Sequence, residues 1–166
     1  MSLSKVSIII INYNGKNLLE TCLESLFKID YTNFEVILVD NNSTDNSIEF
    51  ITKNYPSIII IKLDSNQGFA EPNNIASKIA KGKYLLFLNN DTIVTPKFIS
   101  KMVEAMENDT KIGICQSMLL KFNGIIDFYF SLYSFILKCF RSLPKFFIHF
   151  SFYFPIHCLI FLRENL

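Results

Sequence analysis

The stretch "FEVILVDNNSTDNS" (34–47) decides how this chain folds. Its first half is a mostly apolar run ending at Asp40, the pattern of a strand buried on both faces. Its second half is rich in asparagine, aspartate and serine, which favour turns and the first positions of helices. We predict a strand, a polar loop, and a helix with Ser43 as its N-cap.

The same unit recurs along the chain. A parallel sheet flanked by helices explains strands that alternate with helices, so the sequence predicts an α/β fold. The third helix is expected to begin at Pro72, to bury Ile75 and Ile79, and to end at Gly82. Thr95 and Pro96 are expected to open the fourth helix. The predicted strands are residues 5–11, 34–40, 57–63, 83–89 and 112–119.

Each of the first four predicted strands ends in a polar cluster. A single cluster of this kind is usually only a turn. In a parallel sheet, however, the carboxyl ends of the strands share one edge, where ligands bind. Four clusters at that edge therefore predict a binding site; they are Asn12-Tyr13-Asn14, Asp40-Asn41-Asn42, Asp64-Ser65-Asn66 and Asn89-Asn90-Asp91.

Composition and missing motifs narrow the ligand class. The 16 basic and 15 acidic residues nearly cancel, which argues against nucleic acid. Neither the dinucleotide-binding G-x-G-x-x-G nor the P-loop pattern is present. A diphosphate at this edge would need a divalent cation, for which Asp91 is the best-placed ligand. Asp40 is suited to accept hydrogen bonds from a base or from ribose hydroxyls.

Four motifs give the chain a family resemblance. "VSIIIINYNG", "FEVILVDNNSTDNS", "NQGFAEPNN" and "KYLLFLNNDT" resemble family 2 glycosyltransferases in order and spacing, over about residues 5–120. The likeness is strongest to rhamnosyltransferase-like members. It implies a GT-A fold, with a Rossmann-like, mainly parallel sheet, and an inverting transfer of sugar in cell-envelope polysaccharide synthesis. It further implies a nucleotide-diphosphate sugar donor, Mg²⁺ or Mn²⁺, and a glycan or lipid acceptor.

The resemblance also assigns residues to the donor site. Asn41 departs from the aspartate common in the family, which bears on the choice of nucleotide. Asn89 likewise stands where many members have the first aspartate of the metal motif, so the metal site is expected to be weaker. The implied nucleotide-sugar residues are Tyr13, Asn14, Asp40, Asn41, Asn66, Gly68, Asn74, Asn89 and Asp91, and the implied metal ligands are Asp91 and Asn89.

The end of the chain has a different composition. We divide the sequence into a nucleotide-diphosphate-sugar-binding domain, residues 1–124, and an aromatic-rich tail, residues 125–166. Of 24 aromatic residues 13 lie in the tail, against 2 of the 15 acidic ones. Three interpretations remain open for it: a span over 146–162, an interfacial segment with Lys138, Arg141 and Lys145 toward lipid, or a non-native or truncated end.

The tail also bears on catalysis. An inverting transfer needs a base, yet Asp127 and Glu164 are the only acidic residues after the fifth strand and neither lies in an acceptor-like motif. The catalytic base is therefore unassigned. The alternative function is a nucleotide-sugar-binding module without turnover. A nucleotidyltransferase is disfavoured because "NYNGKN" has a single glycine and a single lysine with which to grip a triphosphate.

The remaining features concern location. The start lacks the layout of a signal peptide, and the four cysteines lack zinc-ligand spacing. We therefore expect reduced thiols and a cytoplasmic protein, peripheral to the inner face of the membrane if the tail is interfacial. His149 and His157 have no acidic neighbours and are better explained by packing than by metal binding.

Overall fold

A computed structural model describes residues 3–109, 112–117, 119–120, 126–128 and 158–163. Helices and strands alternate over most of this length, as the sequence predicts. In chain order the elements are β1 (Val6–Asn12), α1 (Lys16–Leu26), β2 (Phe34–Asp40), α2 (Ser47–Asn54), β3 (Ile59–Lys62), α3 (Ala70–Ile79), β4 (Tyr84–Leu88), α4 (Phe98–Asn108), β5 (Ile114–Gln116), β6 (Leu119–Leu120), β7 (Ile126–Phe128) and β8 (Cys158–Leu162).

The main sheet has the strand order β3-β2-β1-β4-β8-β5. Strands β1 to β4 are parallel, and β8 runs antiparallel between β4 and β5. This confirms the predicted α/β fold with a mainly parallel sheet. A separate two-stranded ribbon pairs β6 with β7.

The sheet is buried on both faces. Ile8 and Ile10 of β1 point to one face, where they share a core with α1, α2 and α4. Ile9 points to the other face, where Ala76 of α3 lies over it. Alternate side chains of one strand thus enter two cores, which is why β1 reads as a continuous apolar run.

The starts of α2 and α4 differ from the prediction. Ser43 is not the N-cap of α2, since Asn46 holds that position with φ 59° and without a side-chain capping bond. The carboxylate of Asp45 instead accepts from the N–H of Ser47 at 3.2 Å. Helix α4 begins at Phe98, whose N–H donates to the carbonyl of Thr95 at 3.0 Å.

The inward face of α3 was also predicted incorrectly. The helix begins at Ala70 rather than at Pro72; Ile75 is half-buried, and Ile79 is 45% exposed. Pro72, Asn73 and Ala76 face the protein interior instead. A helix that approaches a sheet through small residues packs closely, so the large isoleucine is left on the outer side.

Gly82 has a different role from the predicted helix end. The C-cap of α3 is Ala80. A β-carbon on Gly82 would lie 2.5 Å from the backbone nitrogen of Ser7. The N–H of Gly82 donates to Ser7 Oγ at 2.8 Å, and that hydroxyl donates to Glu35 at 2.6 Å. The glycine therefore lets the turn before β4 lie directly against β1.

The end of the chain contributes to the sheet. The predicted fifth strand is shorter than expected, covering Ile114–Gln116. β8 comes from the aromatic-rich tail, and Ile160 on it is fully buried. The last five residues of the 146–162 apolar run are therefore a strand of the main sheet. Residues 129–157, including both histidines and the three basic residues assigned to lipid, lie outside the described residues.

Two further sequence-based expectations concern thiols and membranes. Cys22 and Cys115 are free and buried, as expected; Cys139 lies outside the described residues. In the described parts of the chain, no helix combines the length and the apolar character needed to cross a bilayer.

Candidate functional site

The carboxyl ends of the parallel strands form one polar edge, as expected for this topology. Asn12 at the end of β1 is in register with Asp40 at the end of β2, and Asp40 is in register with Lys62 of β3. The cluster after β4 joins them through a hydrogen bond from Asn90 Nδ2 to Asn12 Oδ1, at 3.2 Å.

Asn12 is the central side chain of this edge; the sequence places it in the first polar cluster but assigns it no role of its own. It is fully buried. Its Nδ2 lies 3.3 Å from Asp40 Oδ1, 3.1 Å from Ser43 Oγ and 2.9 Å from Ser47 Oγ. An amide at the end of a buried apolar run must find partners, and that requirement was the available signal.

Gly15 makes room for the contact between β1 and the cluster after β4. A β-carbon there would lie 2.5 Å from Asn90 Nδ2 and 2.9 Å from Asn12 Oδ1. The carbonyl of Gly15 also accepts from Leu19 as α1 begins, at 2.9 Å. The absence of a side chain at Gly15 therefore allows the two asparagines to meet.

The residues predicted to contact the base and ribose lie at the ends of β1 and β2. Asp40 is 4% exposed, and its second oxygen accepts from the N–H of Ser43 at 3.1 Å. Asn14 has φ 50°, and its Oδ1 accepts from the N–H of Thr44 at 2.7 Å. Tyr13 is 51% exposed, so its ring is accessible for stacking.

Asn41 is engaged within the protein. It is 3% exposed, and its Nδ2 donates to Asn66 Oδ1 at 2.9 Å and to the carbonyl of Gly68 at 2.7 Å. Its Oδ1 accepts from the N–H of Gln67 at 2.8 Å. The loop between β3 and α3 is thereby fixed to β2. Asn74 lies nearby in sequence, half-buried on α3.

Asp45 connects two helix starts and was also missed from the sequence. Its carboxylate accepts from the N–H of Lys16 at 2.8 Å and from the N–H of Ser47 at 3.2 Å. Burial raises the pKa of Asp45, but these bonds and one from the Ser47 hydroxyl outweigh it, so the pKa lies below the usual 3.8. The loops after β1 and β2 are thus held together by a charged cap.

The predicted metal ligands lie on the turn after β4. The carbonyl of Asn89 accepts from Thr92 N–H at 3.3 Å and from the thiol of Cys22 at 3.7 Å. Burial raises the pKa of Cys22 to about 12, so this thiol stays neutral. Asp91 is exposed, and within the described ranges no group donates a hydrogen bond to its carboxylate.

The side chains around this turn offer few ligands for a divalent cation. The described residues contain no group of three or more His, Cys, Asp or Glu side chains that could hold a metal. One free carboxylate and neighbouring amide oxygens therefore fit Mg²⁺ or Mn²⁺ only if the remaining ligands are phosphates and water, as Mg²⁺ usually arranges.

Comparison with protein families gives a match over almost the whole chain. The model of Glycosyl transferase family 2 matches residues 7–166. Among curated relatives, the UDP-Glc:alpha-D-GlcNAc-diphosphoundecaprenol beta-1,3-glucosyltransferase WfaP of Escherichia coli is 40% identical over 105 residues, covering 63% of this chain and 42% of WfaP.

A second curated relative is longer still. The poly(ribitol-phosphate) beta-glucosyltransferase of Bacillus spizizenii is 31% identical over 141 residues, covering 74% of this chain and 22% of that enzyme. The chain thus spans less than half the length of these relatives.

Solved structures match as well. Staphylococcus aureus TarS 1-349 in complex with UDP-GlcNAc is 28% identical, with a TM-score of 0.58, covering 63% of this chain and 31% of the TarS 1-349 chain. The mannosyltransferase PcManGT of Pyrobaculum calidifontis is 21% identical, with a TM-score of 0.71, covering 97% of this chain and 45% of PcManGT. At that identity the second match shows the fold alone.

Proposed function

Because the chain belongs to glycosyl transferase family 2, we propose that it carries the donor site of an enzyme that moves a sugar from a nucleotide-diphosphate sugar to a glycan or lipid acceptor. Its fold is the GT-A fold of that family. The observation that carries the proposal is the polar edge itself, where Asp40 and the Asp91 turn are joined through Asn12 and Asn90.

The two ends of this edge suit two parts of a donor. Asp40 offers a carboxylate held in a fixed orientation, which suits the N–H groups of a base or the hydroxyls of a ribose. The exposed Tyr13, which directly follows Asn12 in the chain, offers an aromatic face. Asn14, Asn66, Gly68 and Asn74 would complete the nucleotide-sugar side, with Asn41 holding the loop that carries Asn66 and Gly68.

Asp91 and Asn89 would hold a divalent cation at the other end. When bound, Mg²⁺ or Mn²⁺ would offset the negative charge that builds on the departing diphosphate. Asp91 supplies an anionic oxygen on an exposed turn, and Asn89 supplies a neutral one. The transfer is proposed to invert the sugar by a single displacement, with a base outside the residues assigned so far.

Two relatives suggest the chemical class of the substrates. The name of WfaP specifies UDP-Glc and a diphosphoundecaprenol acceptor, and the TarS structure contains UDP-GlcNAc. We therefore propose a UDP-sugar donor and a cell-envelope acceptor. Cytoplasmic location, and contact of the tail with the inner face of the membrane, belong to the same proposal.

Nucleotide binding with and without metal tests the donor site. UDP, dTDP and GDP are titrated into the full chain by calorimetry, with and without MnCl₂. We expect one of them to bind more tightly with Mn²⁺, and Asp91→Ala to abolish that gain. Asp30→Ala is the matched control, because it removes an exposed carboxylate from the loop between α1 and β2. Loss of the Mn²⁺ gain in both variants, or in neither, contradicts the proposed metal site.

A binding module without turnover is the second candidate, because no residue of the candidate site is assigned as the catalytic base. The module would bind the nucleotide sugar without transferring or hydrolysing it. Sugar release from UDP-glucose and UDP-GlcNAc, followed by chromatography, separates the two functions. Turnover that is lost in Asp91→Ala would establish the enzyme.

A further inference from the structure

We infer that Asn12 is a positioning residue that sets both ends of the donor site, Asp40 with one side of its amide and Asn90 with the other. The inference rests on the proposed function and adds to it a residue that would contact neither the nucleotide nor the metal. The side chain of Asn12 is fully buried beneath the polar edge.

The two sides of an amide are chemically different, and the site uses both. The donating nitrogen of Asn12 faces β2 and α2, where it approaches Asp40 Oδ1 at 3.3 Å and the hydroxyls of Ser43 and Ser47. The accepting oxygen faces the turn after β4, where it receives the hydrogen bond of Asn90 at 3.2 Å. Reversing the amide would set a donor against Asn90 and an oxygen against a carboxylate.

The amide is also held in place. The backbone carbonyl of Asn12 accepts from the N–H of Asn41 at 2.8 Å, and β1 is paired along its length with β2. On the side of Asn90, Gly15 lies so close that a β-carbon on it would be 2.9 Å from Asn12 Oδ1. The backbone that carries the amide is therefore fixed to β2, and Gly15 limits the space beside the amide oxygen.

Asn12 affects the two ends of the donor site through two different partners. Asp40 is fixed through one oxygen by Asn12 and through the other by the N–H of Ser43, so Asn12 sets the plane of that carboxylate. Asn90 immediately precedes Asp91, so its bond to Asn12 sets the turn that presents the metal ligand. Asn12 therefore acts on metal-independent binding through Asp40 and on metal-dependent binding through Asn90.

Two variants separate these effects. Asn12→Asp keeps the shape and the acceptor for Asn90, but it replaces the donor that faces Asp40 with a second carboxyl. Asn90→Ala removes the other bond and leaves Asp40 unchanged. The dissociation constant of UDP is measured on the full chain without metal and with MnCl₂, at concentrations corrected for the folded fraction. GDP replaces UDP if the wild type binds only GDP.

Asn12→Asp is expected to weaken metal-free binding by about tenfold or more, because one charge-assisted hydrogen bond is lost and a second carboxyl lies against Asp40, while the gain from Mn²⁺ is retained. Asn90→Ala is expected to leave metal-free binding unchanged and to reduce the gain from Mn²⁺. If Asn12→Asp does not fold, Asn12→Val replaces it. This variant loses the bonds to Asp40 and to Asn90, so it should lower both the metal-free affinity for UDP and the gain in affinity from Mn²⁺.

A purely structural role would lower the free energy of unfolding without this split. The inference is overturned if Asn12→Asp and Asn90→Ala change the same quantity, or if Asn12→Val changes neither. If the wild type binds neither nucleotide with or without Mn²⁺, the proposed function fails and the inference fails with it. If the wild type binds and the variants show no split, the inference alone fails.

Discussion

The side chain of Asn41 holds the loop that carries Asn66: its Nδ2 donates to Asn66 Oδ1 at 2.9 Å and to the carbonyl of Gly68 at 2.7 Å. Both hydrogens of this amide are therefore used, and its oxygen accepts from Gln67. A carboxylate has no hydrogen to offer either acceptor. The asparagine that departs from the usual family aspartate is thus matched to the loop it supports.

Asn41→Asp should accordingly destabilise the protein. The carboxylate would face two oxygens inside the protein, and each lost or unsatisfied buried partner costs about 1–3 kcal/mol. We expect urea unfolding to show a lower free energy of unfolding. Asn42→Asp is the matched control, because it makes the same chemical change one residue away, at a side chain that is exposed. Equal effects in the two variants would show that the contacts of Asn41 with the loop contribute nothing.

Gly82→Ala should lower the free energy of unfolding by more than the loss of a helix cap would. The new β-carbon would lie 2.5 Å from the backbone nitrogen of Ser7, on a strand at the centre of the sheet. Overpacking of this kind costs about 1–3 kcal/mol, or more where backbone must move. Urea unfolding measures the loss, and UDP affinity is expected to be unchanged in the folded fraction. A variant as stable as the wild type would contradict the close contact.

Gly82 also shows what the sequence could and could not provide. A glycine after a helical pattern usually ends the helix, and that local rule was the basis of the prediction. The actual requirement is set by Ser7, which lies 75 residues earlier in the chain. The strands were predictable because a sheet buried on both faces needs continuous apolar runs, whereas a single close contact between distant residues leaves no local pattern.

The site was predictable to a similar degree. Strand order brought Asp40 and the Asp91 turn to one edge, and that much follows from topology. The roles of Asn12 and Asp45 were missed because they depend on partners from distant parts of the chain. An asparagine in "INYNG" carries no local sign that it will bond to both Asp40 and Asn90.

Stability should decline in acid in a way that depends on Glu35. Burial raises the pKa of Glu35, but hydrogen bonds from Lys5, Ser7 and Lys81 outweigh it, so the pKa lies below the usual 4.5. A carboxyl whose pKa is lower in the folded state stabilises the fold above its unfolded pKa. That contribution is lost as the pH falls through the folded value.

Glu35→Gln should therefore lower the free energy of unfolding at pH 7, with a smaller difference from the wild type at pH 3. Urea unfolding at a series of pH values measures both curves. Glu104→Gln is the control, since Glu104 lies on the exposed surface of α4 in an ion pair with Lys101. A constant difference between Glu35→Gln and the wild type across this range would exclude ionised Glu35 as the source.

Ile160→Ala tests whether the aromatic-rich tail belongs to the fold. Ile160 is fully buried in β8, which pairs with β4 on one side and β5 on the other. Truncating a buried isoleucine typically costs about 2–5 kcal/mol, because apolar contact is lost and a cavity remains. We expect urea unfolding to show a loss in this range.

Ile79→Ala is the matched control, since Ile79 is 45% exposed on the outer side of α3 and the same truncation should cost little there. A tail that is a non-native end would make Ile160 as tolerant as Ile79. A large loss at Ile160 alone would instead show that residues 158–162 complete the sheet. Residues 158–162 would then belong to the same folded unit as the candidate site, because β4, the strand with which they pair, leads directly into the turn carrying Asp91.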